Sequence, residues 1–534
     1  MRLIRLGIVG FVLALLAACA PPEPLKLTIL HHNDFHSRLQ PVNRFDSTCQ
    51  PAEAQKGECF GGMARVAAVI EREKAAALAQ GRQVLVLFAG DAFQGSLFYT
   101  RYKGMAELEV MNMVGYDAAT VGNHEFDDGP ENFARFLAGA KFPIVSANLD
   151  AATEASLRGK VPPYVILNRG GHRIAIVGAI TEDTAEISSP GANIKFPKTE
   201  DAVKPVIAAL RAQGVTRVVL LTHTGLFRDK EIAAAVDGID AIVGGHSHTL
   251  LANGIQGATD PYPVRVKGPA GNEVPIVQAY AYSRYIGRLD VDYDASGKIV
   301  RAEGNAIAIP QSVAPVAAIQ AAIDKLDAPL VALRAQPVGR SADAFPLDGC
   351  RLRECALGNL VAEALLAATK RQGTQIAVQN GGGLRAGIPA GDITLGHVLT
   401  TLPFQNAVAT MKLKGSDLIA ALEGGVSQVE QTAGRFPQVA GIRYTWDKAR
   451  PAGSRIISVE LRRADGSYGP FDPNAIYSVA TNDFMRKGGD GYVAFRDKAI
   501  DAYDFGPGLD DALADYFRAN NPMRVGLDGR IVTR

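Results

Sequence analysis

Net charge is nearly absent from this sequence, cysteine is scarce, and beyond the N-terminus no long apolar run occurs. Lysine and arginine number 56 against 55 acidic residues. That balance supplies no polyelectrolyte field of the kind that non-specific binding to a nucleic-acid polymer needs, so any anion site must be local. Past the first residues nothing is apolar enough over enough length to form a transmembrane helix. Internal repeats and low-complexity tracts are missing too, and 47% hydrophobic with 21% charged residues excludes a disordered, collagenous or coiled-coil chain. What remains is ordinary globular protein. Its 534 residues rule out one small module and, at about 150 residues per domain, amount to two to four domains.

The N-terminus reads as an address. Arg2 and Arg5 precede the apolar stretch Leu6–Ala18, too short for a mature membrane helix but suited to a secretory signal spanning residues 1–18. Its end, Leu16-Ala17-Ala18-Cys19, resembles a bacterial lipobox, which implies cleavage before Cys19 and acylation of its thiol. Ordinary cleavage nearby would instead leave that thiol free. Ala20 is not the Asp associated with inner-membrane retention, so the expected place is the cell envelope, lipid-anchored at the periplasmic face of the outer membrane or the cell surface. The other four cysteines form two local pairs, Cys49 with Cys59 and Cys350 with Cys355, spaced to close small loops in an oxidising compartment. Zinc is the competing use. No CxxC occurs and both loops carry charged rather than ligand residues, so disulfides are expected.

From Leu25 to about residue 300 one theme recurs: a short β-rich apolar run, a polar turn containing glycine, then helical character. Leu25–Leu30 precedes HHNDFH, Val84–Phe88 precedes AGD, Ala118–Val121 precedes GNHE, Arg217–Leu221 precedes THTG, and Ala241–Val243 precedes GGHSH. Strands this apolar are buried on both faces, as in an α/β layered domain whose ligands gather where strands end. The five motifs therefore share an edge of a first domain, residues 25–312. Residues 313–336 have helix formers and apolar positions at helical spacing, which predicts a connecting helix. A second α/β pattern follows over 337–534, with a helix about Gly358–Lys370, a strand at Gln375–Val378, a strand and helix around Ala409–Leu422, and strands near Ile442, Ile456 and Ile476.

Most of the nine histidines fall in the first domain's clusters: Asp34-Phe-His36, Gly90-Asp91, Gly122-Asn123-His124-Glu125, His223, and Gly244-Gly-His246-Ser-His248. Alone, a His after a strand is more often a hydrogen-bonded loop residue, and Gly-Asp a turn. Together, Asp, Asn and imidazole without thiolate suit first-row divalent ions such as Zn, Mn, Fe or Co, whereas all-oxygen sets suit Ca or Mg. In this order, D-x-H, GD, GNHE, a separate His and GHxH resemble the calcineurin-like metallophosphoesterases. The resemblance implies two metal ions, one held by Asp34, His36 and His248, the other by Asn123, His223 and His246, with Asp91 bridging. Such a pair can share a hydroxide that attacks phosphorus in line. It further implies that His124 is catalytic, stabilising a phosphoryl oxygen or the leaving group, with Asp127 orienting it. The alternative for Asp127 is a cap of the helix after Asp-Asp-Gly-Pro. His31 and His32 are expected in supporting positions, and His172, in a turn before a strand, in solvent.

The second domain carries Cys350-Arg351-Leu-Arg-Glu-Cys355, Gln379-Asn380-Gly-Gly382-Gly383-Leu-Arg385, Leu402-Pro-Phe404-Gln-Asn406 and Asn482-Asp-Phe484-Met-Arg-Lys-Gly-Gly-Asp490. A Gly-rich turn followed by Arg can cradle phosphate, and two rings can stack a base. Taken singly these are a turn, core rings and a solvated face. Together with the first domain they resemble the 5′-nucleotidase/UDP-sugar hydrolase family across almost the whole mature chain, and its ecto-5′-nucleotidases closely. That family joins a metallophosphoesterase sandwich by a helix to a nucleotide-specificity domain that rotates about the linker. The resemblance places Arg351 and Arg385 on phosphate, with Gly382 and Gly383 in the cradle and Asn380 at the ribose or phosphate. It places Phe404 and Phe484 about the base, Asn406 at the base edge, and Asp490 on ribose hydroxyls; the paired cysteines match as well. Gln405 and Asn406 follow the UDP-sugar hydrolase pattern, and Arg486 with Lys487 are extra cations read as solvated.

The expected activity is hydrolysis of nucleoside 5′-phosphates to nucleoside and phosphate by an exported enzyme. UDP-sugar or dinucleotide pyrophosphate cleavage, or 2′,3′-cyclic nucleotide hydrolysis, would use the same scaffold. A nucleotide-binding surface lipoprotein without catalysis would lack a ligand or the His124–Asp127 pair, and neither is lacking.

Overall fold

The computed structural model describes residues 24–534 except 45, 47, 50, 405 and 505 and the side chains of 186 and 187. The signal and Cys19, like Gln405, lie outside the described residues.

Among the described residues the first domain has twelve strands, with helices between β1 and β4 and between β6 and β8, and none between β4 and β6 or from β8 to β12: β1 (Leu25–His32), β2 (Gln83–Phe88), β3 (Ala118–Thr120), β4 (Ile144–Val145), β5 (Tyr164–Arg169), β6 (His172–Ile180), β7 (Arg217–His223), β8 (Ala241–Val243), β9 (Val264–Lys267), β10 (Glu273–Val277), β11 (Tyr285–Tyr293) and β12 (Ile299–Ala308). They make two six-stranded sheets among the described residues, ordered β12-β11-β1-β2-β3-β4 and β5-β6-β7-β8-β10-β9. The period-2 alternation of strand side chains divides two cores. Leu27 and Ile29 of β1 and Leu85 and Leu87 of β2 face Ile174, Ile176, Val219 and Leu221 of the other sheet. The alternate residues Leu30, Val84, Val86 and Phe88 pack beneath helix Met63–Ala79 through Met63, Val66 and Ile70. Each such fully buried aliphatic side chain contributes about 1.5–3 kcal/mol of transfer free energy, so both faces are held firmly.

Register aligns the strand ends. β1 to β4 are mutually parallel; His32 pairs with Phe88 and Phe88 with Ala119, so the loops carrying Asp34, Asp91 and Asn123 leave the sheet side by side. In the second sheet β6, β7, β8 and β10 are parallel, and His223 closes β7 at the same edge. His172, expected in solvent, opens β6 opposite Arg169 and is half-buried.

The connecting segment is two helices rather than one. Ala317–Asp327 ends in a 3₁₀ turn, Ala328–Leu330, before Val331–Arg334. Pro329 supplies no N–H and interrupts the ladder there. Ile319 and Ile323, one turn apart, pack the first helix into the first domain's core.

The second domain has a five-stranded sheet ordered Pro437–Ala440, Ile376–Asn380, Ile476–Asn482, Val408–Lys414 and Ile500–Tyr503, with a four-stranded sheet beside it. Helix Ala356–Ala368 is buried against the larger sheet along Leu357, Leu360, Val361, Ala364 and Leu365. Both expected disulfides are formed, Cys49–Cys59 with Cα atoms 5.7 Å apart and Cys350–Cys355 with Cα atoms 5.1 Å apart.

Candidate metal centre and the cleft beside it

Five strand-end loops meet at one buried point, and backbone hydrogen bonds stitch them together. Asp34 N–H donates to Gly90 O at 3.0 Å and His36 N–H to Asp91 O at 3.2 Å. Asp34, His36, Asp91, His246 and His248 all have left-handed backbones, with φ of 48°, 46°, 60°, 75° and 53°. Non-glycine residues are rare there, and such strain persists where the surroundings over-determine it. Gly90 is needed for close approach: at φ 85° a Cβ would lie 2.6 Å from His223 Nδ1.

The ligand-type atoms fall into overlapping sets, Asp34 with His36 and His248, Asp91 with His223 and His246, and His36 with Asp91 and His124. His36 Nε2 lies 3.0 Å from His248 Nε2, 3.8 Å from Asp34 Oδ1 and 3.7 Å from Asp91 Oδ2. His223 Nε2 lies 3.0 Å from Asp91 Oδ2, and Asn123 Oδ1 is 2.9 Å from His246 Nδ1. The second ring nitrogens are already committed: His36 Nδ1 to Phe93 O at 3.0 Å and His223 Nδ1 to Ala89 O at 2.7 Å. With Nδ1–H donated to a carbonyl, Nε2 presents a lone pair to the cluster, the arrangement a metal-ligating imidazole takes. The N/O donor set and two facing Nε2 atoms fit first-row divalent cations.

Electrostatics agree. Burial opposes a charged His223, yet the Asp91 and Asp34 carboxylates outweigh it and raise its pKa to about 10. Burial likewise opposes the Asp91 carboxylate, and His223 with His124 holds it well below the ordinary value. A centre that gathers this much mutual compensation has excess acceptors when its imidazoles are neutral.

His124 Nδ1 is 2.6 Å from Asp127 Oδ2, and Ser188 Oγ donates to Asp127 Oδ1 at 2.7 Å. Asp127 is not the cap of the following helix; Asp128 occupies that position, with no side-chain capping bond. Burial lowers the His124 pKa, but Asp127 and then Asp91 reverse the effect, so it is raised. Glu125 has a role that its motif does not announce. Its buried carboxylate accepts from the N–H groups of Gly122 at 2.6 Å, Asp91 at 3.1 Å, Ala92 at 2.8 Å and Phe93 at 3.3 Å, clamping the β2 and β3 loops. Asn33 donates to Asp34 Oδ2 at 2.8 Å. His31 and His32 instead meet Tyr262 and Tyr116 hydroxyls, at 2.8 Å and 3.3 Å, behind the loop.

The second domain reaches this centre. Arg385 Nη2 lies 2.8 Å from His36 Nε2, and the Phe404 ring stacks on His124 at 5.5 Å between centroids. Arg351, in the Cys350–Cys355 loop, has its pKa lowered by burial and by Arg385. Asn380 Nδ2 donates to Asp490 Oδ2 at 2.6 Å, and Asn380 Oδ1 accepts from Asn482 at 3.0 Å. Gly382 N–H donates to Gly434 O at 2.7 Å, and a Cβ on Gly382 would come 2.7 Å from Gly434 Cα; Gly383 completes the same 3₁₀ turn. Phe484 lies against Gly489 on helix Asp483–Arg486. Asn406 Nδ2 is tied to Asp483 at 3.0 Å. Arg486, read as solvated, is bound by Asp504 at 2.6 Å and half-buried, whereas Lys487 pairs with Asp483 at 2.8 Å on the surface.

Two families match the chain: calcineurin-like phosphoesterase over residues 27–250 and 5′-nucleotidase, C-terminal domain, over 337–497. A 5′-nucleotidase of Bos taurus is 35% identical, with 95% of this chain and 91% of that protein covered. A 5′-nucleotidase of Homo sapiens is 34% identical, with 95% and 90% covered. The crystal structure of a 5′-nucleotidase precursor from Thermus thermophilus is 40% identical, covers 95% of this chain and 99% of its own, and superposes with a TM-score of 0.89.

Proposed function

The chain belongs to the 5′-nucleotidase family, metal-dependent phosphoester hydrolases with a calcineurin-like phosphoesterase domain, and from that premise we propose how its residues divide the work. Asp34, His36 and His248 hold one divalent transition-metal ion, Asn123, His223 and His246 a second, and Asp91 serves both. When bound, the ions supply Lewis-acid polarisation of the phosphoryl group and lower the pKa of the attacking water.

The remaining steps fall to side chains. Arg385 and Arg351 bind phosphate oxygens, where a guanidinium fork gives charge-assisted, directional hydrogen bonds. His124, with Nδ1 fixed by Asp127, keeps Nε2 for a proton delivered to the departing 5′-oxygen. Phe404 and Phe484 hold the base by stacking, with Asn406 beside them; Asn380 and Asp490 receive the ribose.

One observation carries this reading: Arg385 meets His36, so the nucleotide half of the molecule lies on the metal half. The test is a product assay on purified protein with Mn or Zn, comparing AMP, ATP, UDP-glucose, NAD and 2′,3′-cyclic AMP. AMP should yield adenosine and phosphate with the highest kcat/KM. Cleavage confined to the pyrophosphates or the cyclic ester would overturn the assignment. The signal and the lipobox-like Cys19 support an enzyme exported and acylated there, acting on nucleotides outside the cytoplasm.

A further inference from the structure

Beneath the metal loop lies an arginine outside the ligand set. Arg38 is only 2% exposed, yet among the described residues it makes no ion pair with a carboxylate. Its fork donates to three backbone carbonyls instead: Nε to Asp46 at 3.0 Å, Nη1 to His36 at 3.2 Å, and Nη2 to Arg385 at 3.3 Å. The Tyr282 ring covers its face, with the guanidinium carbon 5.1 Å from the centroid.

The surroundings are shaped to keep it there. A Cβ on Gly95 would run into Arg38 Nη1 and the His36 carbonyl oxygen. The Asp46 carboxylate is engaged by Arg284 Nη1 and the Tyr280 hydroxyl, both at 3.0 Å, so it acts on Arg38 only through its field while its carbonyl takes the hydrogen bond. Burying a cation whose hydrogen bonds all go to neutral carbonyls is costly, and a packed apolar residue would fill the space more cheaply. The arrangement makes sense if the fork's reach is what matters, since its donors point in fixed, separate directions.

Of the three carbonyls, two belong to the first domain and the third crosses to the second. That third one is the backbone of the same residue whose guanidinium meets His36. We propose that Arg38 is a positioning residue: it docks the Arg385 backbone onto the metal loop, so that the second domain delivers the Arg385 guanidinium to the phosphate beside His36. This rests on the reading of Arg385 as a phosphate-binding residue.

The experiment measures AMP kinetics, competitive inhibition by adenosine, melting temperature and bound metal for the full chain carrying Arg38→Ala, Arg38→Lys, Arg385→Ala, or the Arg38→Ala/Arg385→Ala pair. Adenosine probes the base and ribose contacts without a phosphate. Arg38→Ala should lower kcat/KM for AMP by about 10- to 100-fold, the worth of a charged hydrogen bond, with adenosine inhibition and metal content unchanged. Arg38→Lys should recover little, because one ammonium cannot reach three separated carbonyls. In the Arg385→Ala background, Arg38→Ala should cost less than about threefold more, the non-additivity of residues acting through one another. Full additivity, or an Arg38→Ala enzyme within about twofold of wild type beside a damaged Arg385→Ala, overturns the inference alone. Normal AMP turnover by Arg385→Ala overturns the site reading and the inference with it. If Arg38→Ala does not fold, Arg38→Gln and Arg38→Lys with wild-type melting temperatures carry the same comparison.

Discussion

His124 and Phe484 are the two residues at which the proposed chemistry and the proposed recognition can be told apart. His124 touches the centre directly, with Nδ1 on Asp127 and its ring between His36 and Phe404. Phe484 lies on the second domain's short helix Asp483–Arg486, with its ring against Gly489. His124→Ala should therefore cut kcat by about 10²- to 10⁴-fold with little change in KM, as loss of a proton-transfer group does. Phe484→Ala should leave kcat near wild type and raise KM for AMP by roughly 5- to 150-fold, the equivalent of about 1–3 kcal/mol of base stacking. Steady-state kinetics on the two variants decide it; a Phe484→Ala enzyme with unchanged KM would remove that ring from the base site. At this scale the ligand candidates were legible because each motif puts a chemically distinctive side chain at a strand end. Glu125 and Arg38 were not, since their partners are backbone N–H and C=O groups that leave no mark in a sequence.

At the scale of elements, apolar runs between glycine-bearing turns were enough to find β1, β2, β3, β7 and β8 and the main strands of the second domain. Two things stayed hidden. The left-handed backbones at Asp34, His36, Asp91, His246 and His248 arise from contacts between loops rather than from local preference. The break at Pro329 was masked by the helix formers on either side. The Cys350–Cys355 loop joins an element to the chemistry, because it carries Arg351 and Cys355 Sγ accepts from Gly358 N–H at the start of helix Ala356–Ala368. Closing so short a loop contributes about 2 kcal/mol by chain entropy. Cys350→Ser/Cys355→Ser should lose about that much in urea unfolding and raise KM for AMP more than it lowers kcat. A loss of stability with KM unmoved would show that the crosslink does nothing for Arg351.

For the molecule as a whole, the candidate centre draws on both domains: the first gathers the His and Asp cluster and the second brings Arg385 beside His36. Stripping divalent ions with a chelator should abolish AMP hydrolysis, and Mn or Zn should restore it, while circular dichroism shows the fold retained by the two cores. Activity that survives exhaustive chelation would contradict a metal-dependent mechanism. Among the described residues no helix is long and apolar enough to cross a membrane; the anchoring candidate is the lipobox-like Cys19 of the sequence. Cys19→Ser should move the protein from the membrane fraction to the soluble one with kcat intact; an unchanged distribution would exclude acylation there.

The direction in which β1 runs sets how far the active site stands from an anchor at Cys19. Five residues separate Cys19 from Leu25, a leash of at most about 20 Å when fully drawn out. The strand enters at Leu25 and leaves at His32 just before Asp34, about 25 Å further on at the usual rise per residue. A tether acylated at Cys19 would therefore join the molecule at the end of β1 remote from the Asp34 loop, and the catalytic mouth would stand a strand's length from the point of attachment.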